Sequence, residues 1–184
     1  MRKIIFVTGN PHKVREAGDI LSHLGITVEQ NNCGYPELQE DELEPIASFG
    51  ARWAADKLDS EVMVDDSGLF IEALGGFPGP YSAYVSDTLG NANILKLMEG
   101  ETNRKAVFRC VIGYCRPGRE PYLFSGEAAG EIAYEMRGSG GFGYDPIFKV
   151  GGVAFGEMGE EEKNMLSHRY AALSKFARWL KENC

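Results

Sequence analysis

Arg2-Lys3-Ile4-Ile5-Phe6-Val7-Thr8-Gly9-Asn10-Pro11-His12-Lys13 carries the first structural signal of the chain. Lys3 to Thr8 is a short apolar run of β type that stops at Gly9-Asn10-Pro11, and beyond it Val14, Ala17, Leu21 and Leu24 recur at helical spacing. The stretch reads as strand, phosphate-sized loop, helix. Asn10 can cap that helix and Pro11 suits its first turn, where a missing N–H costs nothing. Gly25 ends it, and Ile26 to Gln30 alternates as a second strand.

Working outward, Glu37 to Glu44 packs five carboxylates into eight residues ahead of Pro45, and the helix that follows carries Ile46, Phe49, Trp53 and Leu58 on its buried stripe. Glu61 to Asp65 and Leu69 to Ala73 read as two strand segments interrupted by Asp66-Ser67-Gly68. A turning run, Gly75 to Pro80, comes next, then a short helix from Leu89 to Met98 closed by Gly100. Two longer β stretches, Ala106 to Cys115 and Tyr122 to Tyr134, are joined by Arg116-Pro117-Gly118-Arg119, which is hairpin punctuation. Gly138 to Gly159 holds eight glycines in 22 residues and is the least regular part. The last helix places Leu173, Phe176, Ala177 and Leu180 on one face, with Ser167 as its N-cap.

Composition narrows the function classes. The 184 residues carry 19 Lys plus Arg against 27 Asp plus Glu, a net charge of −8. A sequence-independent grip on a nucleic-acid backbone needs clustered cations, so no nucleic-acid partner is expected, and any phosphate ligand should be small and metal-assisted. The apolar run of Ile4 to Val7 is too short for an export signal, and no stretch is long enough for a transmembrane span, so no membrane partner is expected. Cys33, Cys110, Cys115 and Cys184 form no CxxC pair, which suits a reduced cytoplasmic protein with inert thiols.

Four stretches offer chemistry. The turn Thr8 to Lys13 presents orphan N–H groups and the positive end of a helix dipole to an anion, with Lys13 as a point charge; taken alone it reads more readily as an ordinary capped turn with a solvated lysine. Gly138-Ser139-Gly140-Gly141-Phe142-Gly143 matches a dinucleotide-binding string, but Tyr144-Asp145-Pro146 follows where a helix would have to open, which rejects that reading. The loop instead offers Phe142 and Tyr144 either for stacking on a base or as core residues. Asp65-Asp66-Ser67-Gly68 sets two carboxylates on a strand, where only one can face a given cleft; the facing one would suit a hard cation, or the pair is a polar turn. Lys163, with His168 and Arg169 at a helix start, offers donors for a base edge or a phosphate, or else exposed basic residues. Taken together, a phosphate loop, a metal carboxylate, an aromatic stack and an Arg/His clamp suit a nucleoside triphosphate.

These motifs, with Gly75 to Ser82, Gly141-Phe142-Gly143-Tyr144-Asp145-Pro146-Ile147-Phe148 and Glu162-Lys163-Asn164-x-x-Ser167-His168-Arg169, resemble the inosine triphosphate pyrophosphatase (Ham1-like) family, in the family's order and over nearly the whole chain. The resemblance implies a single domain over residues 1–184. It also implies an α/β fold, elongated and two-lobed, with a long central mixed β-sheet flanked by helices and the nucleotide in a cleft between lobes. The implied activity is hydrolysis of ITP, dITP and XTP to the monophosphate plus pyrophosphate, with Mg²⁺, by a cytoplasmic homodimer. Carried over by position, Thr8, Gly9, Asn10 and Lys13 fall in the phosphate loop, Glu37 and Asp66 are metal ligands, and Asp66 is also the general base with Ser67 beside the substrate. Phe142, Gly143, Tyr144 and Asp145 fall in the base-recognition loop, and Lys163, His168 and Arg169 are further substrate contacts. There is one departure: many members carry a lysine in the helix after the acidic run, near the place of Gly50, with Arg52 two residues on. A nucleotide sensor without catalysis and a phosphohydrolase of the related Maf type remain as other readings.

Overall fold

A computed structural model describes residues 2–36 and 38–183. Its strands are β1 (Arg2–Val7), β2 (Ile26–Asn31), β3 (Val62–Ile71), β4 (Pro78–Gly79), β5 (Lys105–Cys115), β6 (Tyr122–Ile132), β7 (Phe148–Val150) and β8 (Val153–Ala154). Its helices are α1 (Pro11–Ser22), α2 (Leu43–Leu58), α3 (Ser82–Thr88), α4 (Gly90–Leu97), α5 (Glu160–Leu166) and α6 (His168–Asn183). The fold is α/β with a mixed sheet in the order β2-β1-β3-β5-β6-β7-β8 and β4 paired to β3. β1 runs parallel to β2 and β3, whereas the β3–β4, β6–β7 and β7–β8 pairs are antiparallel.

The chain divides into two compact units, and β3, β5 and β6 each contribute residues to both. The first unit comprises residues 1–66, 110–126 and 169–184. Its core joins Ile4 and Phe6 of β1, Ala17 and Leu21 of α1, Met63, Ile112, Tyr114, and Leu173, Phe176 and Leu180 of α6. The opening stretch folds as its pattern dictates: the Asn10 side chain accepts from the His12 N–H at 2.9 Å, Pro11 takes the first helical position, and Gly25 adopts φ +68° beyond the last turn. α2 departs from the expected stripe of large residues. Its buried face is mostly small, with Ala47, Gly50, Ala51, Ala54 and Ala55 beside Leu43 and Ile46. The reason is close approach: a Cβ on Gly113 of β5 would lie 2.5 Å from the Ala47 carbonyl oxygen.

The second unit comprises residues 67–109 and 127–168, with a core of Leu69, Ile71, Ile94, Phe108, Ile132, Phe148 and Phe155. The Phe108 and Phe148 rings meet edge to face at 4.6 Å. The expected break in β3 at Asp66-Ser67-Gly68 is absent: strand geometry continues from Val62 to Ile71. α3 and α5 carry too few large apolar residues to show a stripe, and the sequence reading missed both. Among the described residues no helix is long and apolar enough to cross a membrane.

Candidate active site

In the first unit, Thr8, Gly9 and Asn10 link the carboxyl end of β1 to the N-terminus of α1. The Thr8 Oγ1 accepts from the Asn10 N–H at 3.1 Å, and the Thr8 N–H donates to the Asn31 carbonyl at 3.0 Å, so the loop is shaped by its own polar groups and by the end of β2. A twelve-residue helix starting there directs its unpaired N–H groups and dipole toward the loop. Lys13, in the first turn of α1, does not extend into solvent. Its Nζ lies 2.7 Å from Asp65 Oδ1, with the lysine side chain 18 % exposed and the aspartate side chain fully buried.

Asp65 also accepts from Arg169 Nε, at 2.6 Å to Oδ2, and from the Cys110 thiol at 3.5 Å. Arg169 Nη1 reaches Glu16 Oε2 of α1 at 2.9 Å. Burial works against the guanidinium charge, but the Asp65 and Glu16 carboxylates outweigh it and hold Arg169 protonated well above the ordinary arginine range. Arg169, expected as a donor to a base edge or a phosphate, stands in a network of two cations and two carboxylates. The alternative of an exposed basic helix start is overturned, since His168 and Arg169 are both buried. Asp66 is the neighbour of Asp65 on β3, is half-buried, and by strand alternation faces away from the network. Glu37 lies outside the described residues.

Gly50 and Arg52 also have defined surroundings. A Cβ on Gly50 would lie 2.6 Å from the Tyr35 ring, so the aromatic side chain occupies the space a longer residue would need. Arg52 is exposed and paired with Glu120.

In the second unit, Phe142 is 36 % exposed whereas Tyr144 is buried. The Tyr144 hydroxyl donates to the Ser82 carbonyl at 2.7 Å, and its ring packs into the core beside Phe108. Burial, with a smaller contribution from Asp87, pushes the phenol well above its usual range, so it remains a donor. Of the two aromatics considered for stacking, only Phe142 presents surface. Asp145 organises the loop: its Oδ2 accepts the Phe142 N–H at 2.7 Å and Lys163 Nζ at 2.7 Å. The ammonium lies 4.6 Å from the centroid of the Phe142 ring, a cation–π distance. Gly143 accepts at its carbonyl from Asn91 Nδ2 of α4 at 2.9 Å. His168 stacks on Phe108 with ring centroids 4.7 Å apart and planes 8° from parallel. Ser67 is half-buried on β3, next to Asp66.

Sequence reasoning overlooked Glu16, Asn91, Cys110 and Phe108. Glu16 stands three positions after Lys13 on α1, a spacing that puts the two on one helix face. The others are tertiary neighbours with no local signal.

A hard divalent cation takes carboxylate oxygens, and Asp66 carries a carboxylate. Among the described residues there is no group of three or more His, Cys, Asp or Glu that would make an all-protein cage. Mg²⁺ commonly binds through one or two carboxylates plus substrate phosphate and water.

Comparison with known proteins agrees with these motifs. The Ham1 family model matches residues 4–179. A dITP/XTP pyrophosphatase of Methanosarcina mazei is 62 % identical over 179 residues, covering 97 % of each chain. One of Thermococcus kodakarensis is 54 % identical over 183 residues, covering 98 % of each. Among solved structures, a HAM1 protein from Coxiella burnetii superposes with a TM-score of 0.89 at 32 % identity, covering 99 % of this chain and 100 % of the other. With a family model spanning nearly its full length and relatives this similar, the chain belongs to the Ham1 family.

Proposed function

We propose that residues 1–184 act as one catalytic domain, a nucleoside triphosphate pyrophosphatase that hydrolyses ITP, dITP and XTP to the monophosphate and pyrophosphate and so removes non-standard purine nucleotides from the precursor pool. The observation that carries the reading is the unequal state of two adjacent carboxylates. Asp65 is buried with both oxygens held by Lys13 and Arg169, whereas Asp66 is half-buried on the other side of β3. A binding protein without catalysis has no use for that second carboxylate. The relatives named dITP/XTP pyrophosphatase support the substrate class.

In this reading Thr8, Gly9, Asn10 and Lys13 bind the triphosphate through backbone N–H groups, the α1 dipole and the lysine ammonium. Asp66 and Glu37 would hold Mg²⁺, which when bound supplies neutralisation of phosphate charge. Asp66 orients a water toward the α-phosphorus and takes its proton as the new O–P bond forms; the bond from that phosphorus to the bridging oxygen breaks and pyrophosphate leaves. Ser67 lies beside the phosphates. Phe142 stacks on the base, and His168, Lys163 and the amides of Gly143 to Asp145 surround its edge. Hypoxanthine and xanthine offer a 6-oxo acceptor to such donors, whereas adenine's 6-amino group meets them donor to donor. The enzyme acts as a cytoplasmic homodimer with no nucleic-acid or membrane partner.

The test is a panel of ITP, dITP, XTP, GTP, ATP and pyrimidine triphosphates with detection of released pyrophosphate, with and without Mg²⁺. Preference for ITP over ATP on the order of 10² or more in kcat/KM is expected. Binding of ITP with no pyrophosphate release would favour a sensor, and a preference for modified pyrimidines would favour Maf-type chemistry.

A further inference from the structure

Asp65 has no part in the reaction outlined above, yet it is an enclosed charge of the first unit. Its side chain is fully buried, and its two oxygens are divided between two cations. Lys13 Nζ approaches Oδ1 at 2.7 Å and the Asp65 carbonyl at 3.4 Å, so the ammonium is fixed at two points of β3. Arg169 Nε approaches Oδ2 at 2.6 Å, and its Nη1 is anchored in turn on Glu16 at 2.9 Å. Glu16 and Lys13 belong to the same helix, α1, so the chain Lys13–Asp65–Arg169–Glu16 closes on itself through one turn of backbone. Two positive and two negative charges balance within it. A flexible lysine side chain at a helix start would otherwise sample many rotamers, and ordering it upon phosphate binding would carry a large entropic cost.

We infer that Asp65 is a positioning residue for phosphate recognition: through the Lys13–Asp65 ion pair it holds the Lys13 ammonium, in the first turn after the Thr8–Asn10 loop, at one place against β3, and Arg169 with Glu16 keeps the Asp65 carboxylate aimed at it. The inference rests on the assignment of Lys13 to phosphate. Asp65 acts through Lys13, its two oxygens being held by Lys13 and Arg169. This separates it from Asp66, whose role needs an oxygen open to the reacting atoms.

The test is a double-mutant cycle on the full chain with Lys13→Met, Asp65→Asn and the double variant. It is read first as equilibrium binding of inorganic triphosphate and in parallel as kcat and KM for ITP. Lys13→Met should weaken inorganic triphosphate binding about tenfold or more, the order expected for one charge-assisted contact, and Asp65→Asn should weaken it by several-fold. The double variant should bind no more weakly than Lys13→Met alone, because once the ammonium is gone there is nothing left for Asp65 to hold. Losses that multiply in the double variant would show that Asp65 supports the fold without acting through Lys13 and would overturn the inference, as would wild-type binding by Asp65→Asn. Should Asp65→Asn not fold, amine acylation of the wild-type chain takes its place. Lys13 is expected to react at least about tenfold more slowly than exposed Lys3, and reaction at equal rates would overturn the inference. Because inorganic triphosphate has no base and needs no turnover, an enzyme that fails to hydrolyse ITP would refute the proposed activity while leaving the cycle readable.

Discussion

Arg169 Nε and Asp65 Oδ2 meet at 2.6 Å in a buried pair, although 104 positions separate them in the chain. The contact joins the first turn of α6 to the middle of β3. It also changes what a substitution at Arg169 should do. Alanine there would leave Asp65 and Glu16 buried with a cation removed, and breaking a buried pair from one side costs about 3–5 kcal/mol. For a chain of this size that corresponds to a fall in melting temperature of about 10 °C. The rates on ITP and ATP should fall together, leaving their ratio unchanged. A melting temperature within about 2 °C of wild type together with a collapsed ITP preference would restore the direct clamp on the base. Because the folded-state pKa of Arg169 lies above the ordinary value, its contribution is fully present below roughly pH 12, so a stability profile should show no alkaline step from this residue before then.

Asp66→Asn should behave in the opposite manner. The residue is half-buried and stands on the other face of β3, so the fold should lose little and the melting temperature should stay within a few degrees. Turnover of ITP, followed by pyrophosphate release, should drop at least about a hundredfold, since in the proposed mechanism the variant removes the proton acceptor and a metal charge at once. Near-normal turnover would place the base elsewhere, and it could not be Asp65, whose oxygens are already committed to Lys13 and Arg169.

How far the sequence foretold this is clearest at particular residues. The Thr8 to Lys13 turn was legible because its determinants are local: an Asn cap, a proline at the first helical position and an apolar strand before them. The α/β fold followed from such elements and from the order of the motifs. The partners of the charged residues were not legible. Nothing near Arg169 in the chain announces Asp65 or Glu16, and strand alternation establishes that Asp65 and Asp66 face opposite ways without saying which one is buried. Likewise Tyr144 and Phe142 are two positions apart in one glycine-rich loop, and only tertiary packing sends one to the core and leaves the other at the surface. The interruption expected at Asp66-Ser67-Gly68 failed because turn propensity is a local preference, and β3 is held in strand geometry by pairing with β1 before that stretch and with β4 after it.

Those two aromatics separate cleanly by experiment. Tyr144→Phe removes the hydroxyl that donates to the Ser82 carbonyl at 2.7 Å and leaves that acceptor buried, at a cost of about 1–2 kcal/mol. Its kcat/KM on ITP should remain within about twofold of wild type, since a phenyl ring fills the same core position. Phe142→Ala should do the reverse, with little effect on melting and a KM for ITP raised about tenfold, in line with the worth of one base–aromatic stack. A Tyr144→Phe enzyme with normal stability and impaired base selection would return the stacking role to Tyr144.

The loop that carries Phe142 depends on one oxygen. Asp145 Oδ2 accepts both the Phe142 N–H and the Lys163 ammonium, each at 2.7 Å, so it fixes the backbone of Phe142 and the cation beside its ring. Asp145→Asn replaces the charge with an amide whose single acceptor oxygen serves the same two donors more weakly, and it leaves the Lys163 ammonium, largely buried, without its carboxylate. The KM for ITP should rise about tenfold or more, from the loss of charge-assisted bonds that hold the loop in its binding shape. ATP should suffer to the same extent, since Asp145 acts on loop geometry and not on the 6-position of the base. Gly141 offers a second route to the same defect. It stands at φ +72°, and a Cβ there would lie 1.9 Å from Asp145 Oδ2, so Gly141→Ala both strains the backbone and displaces the carboxylate. If the two substitutions damage one and the same contact, the Gly141→Ala/Asp145→Asn double variant should have a KM little worse than the more damaged single variant. A double variant whose KM is the product of the two single effects would show that Gly141 and Asp145 contribute separately, and the single-oxygen account of the loop would then be wrong.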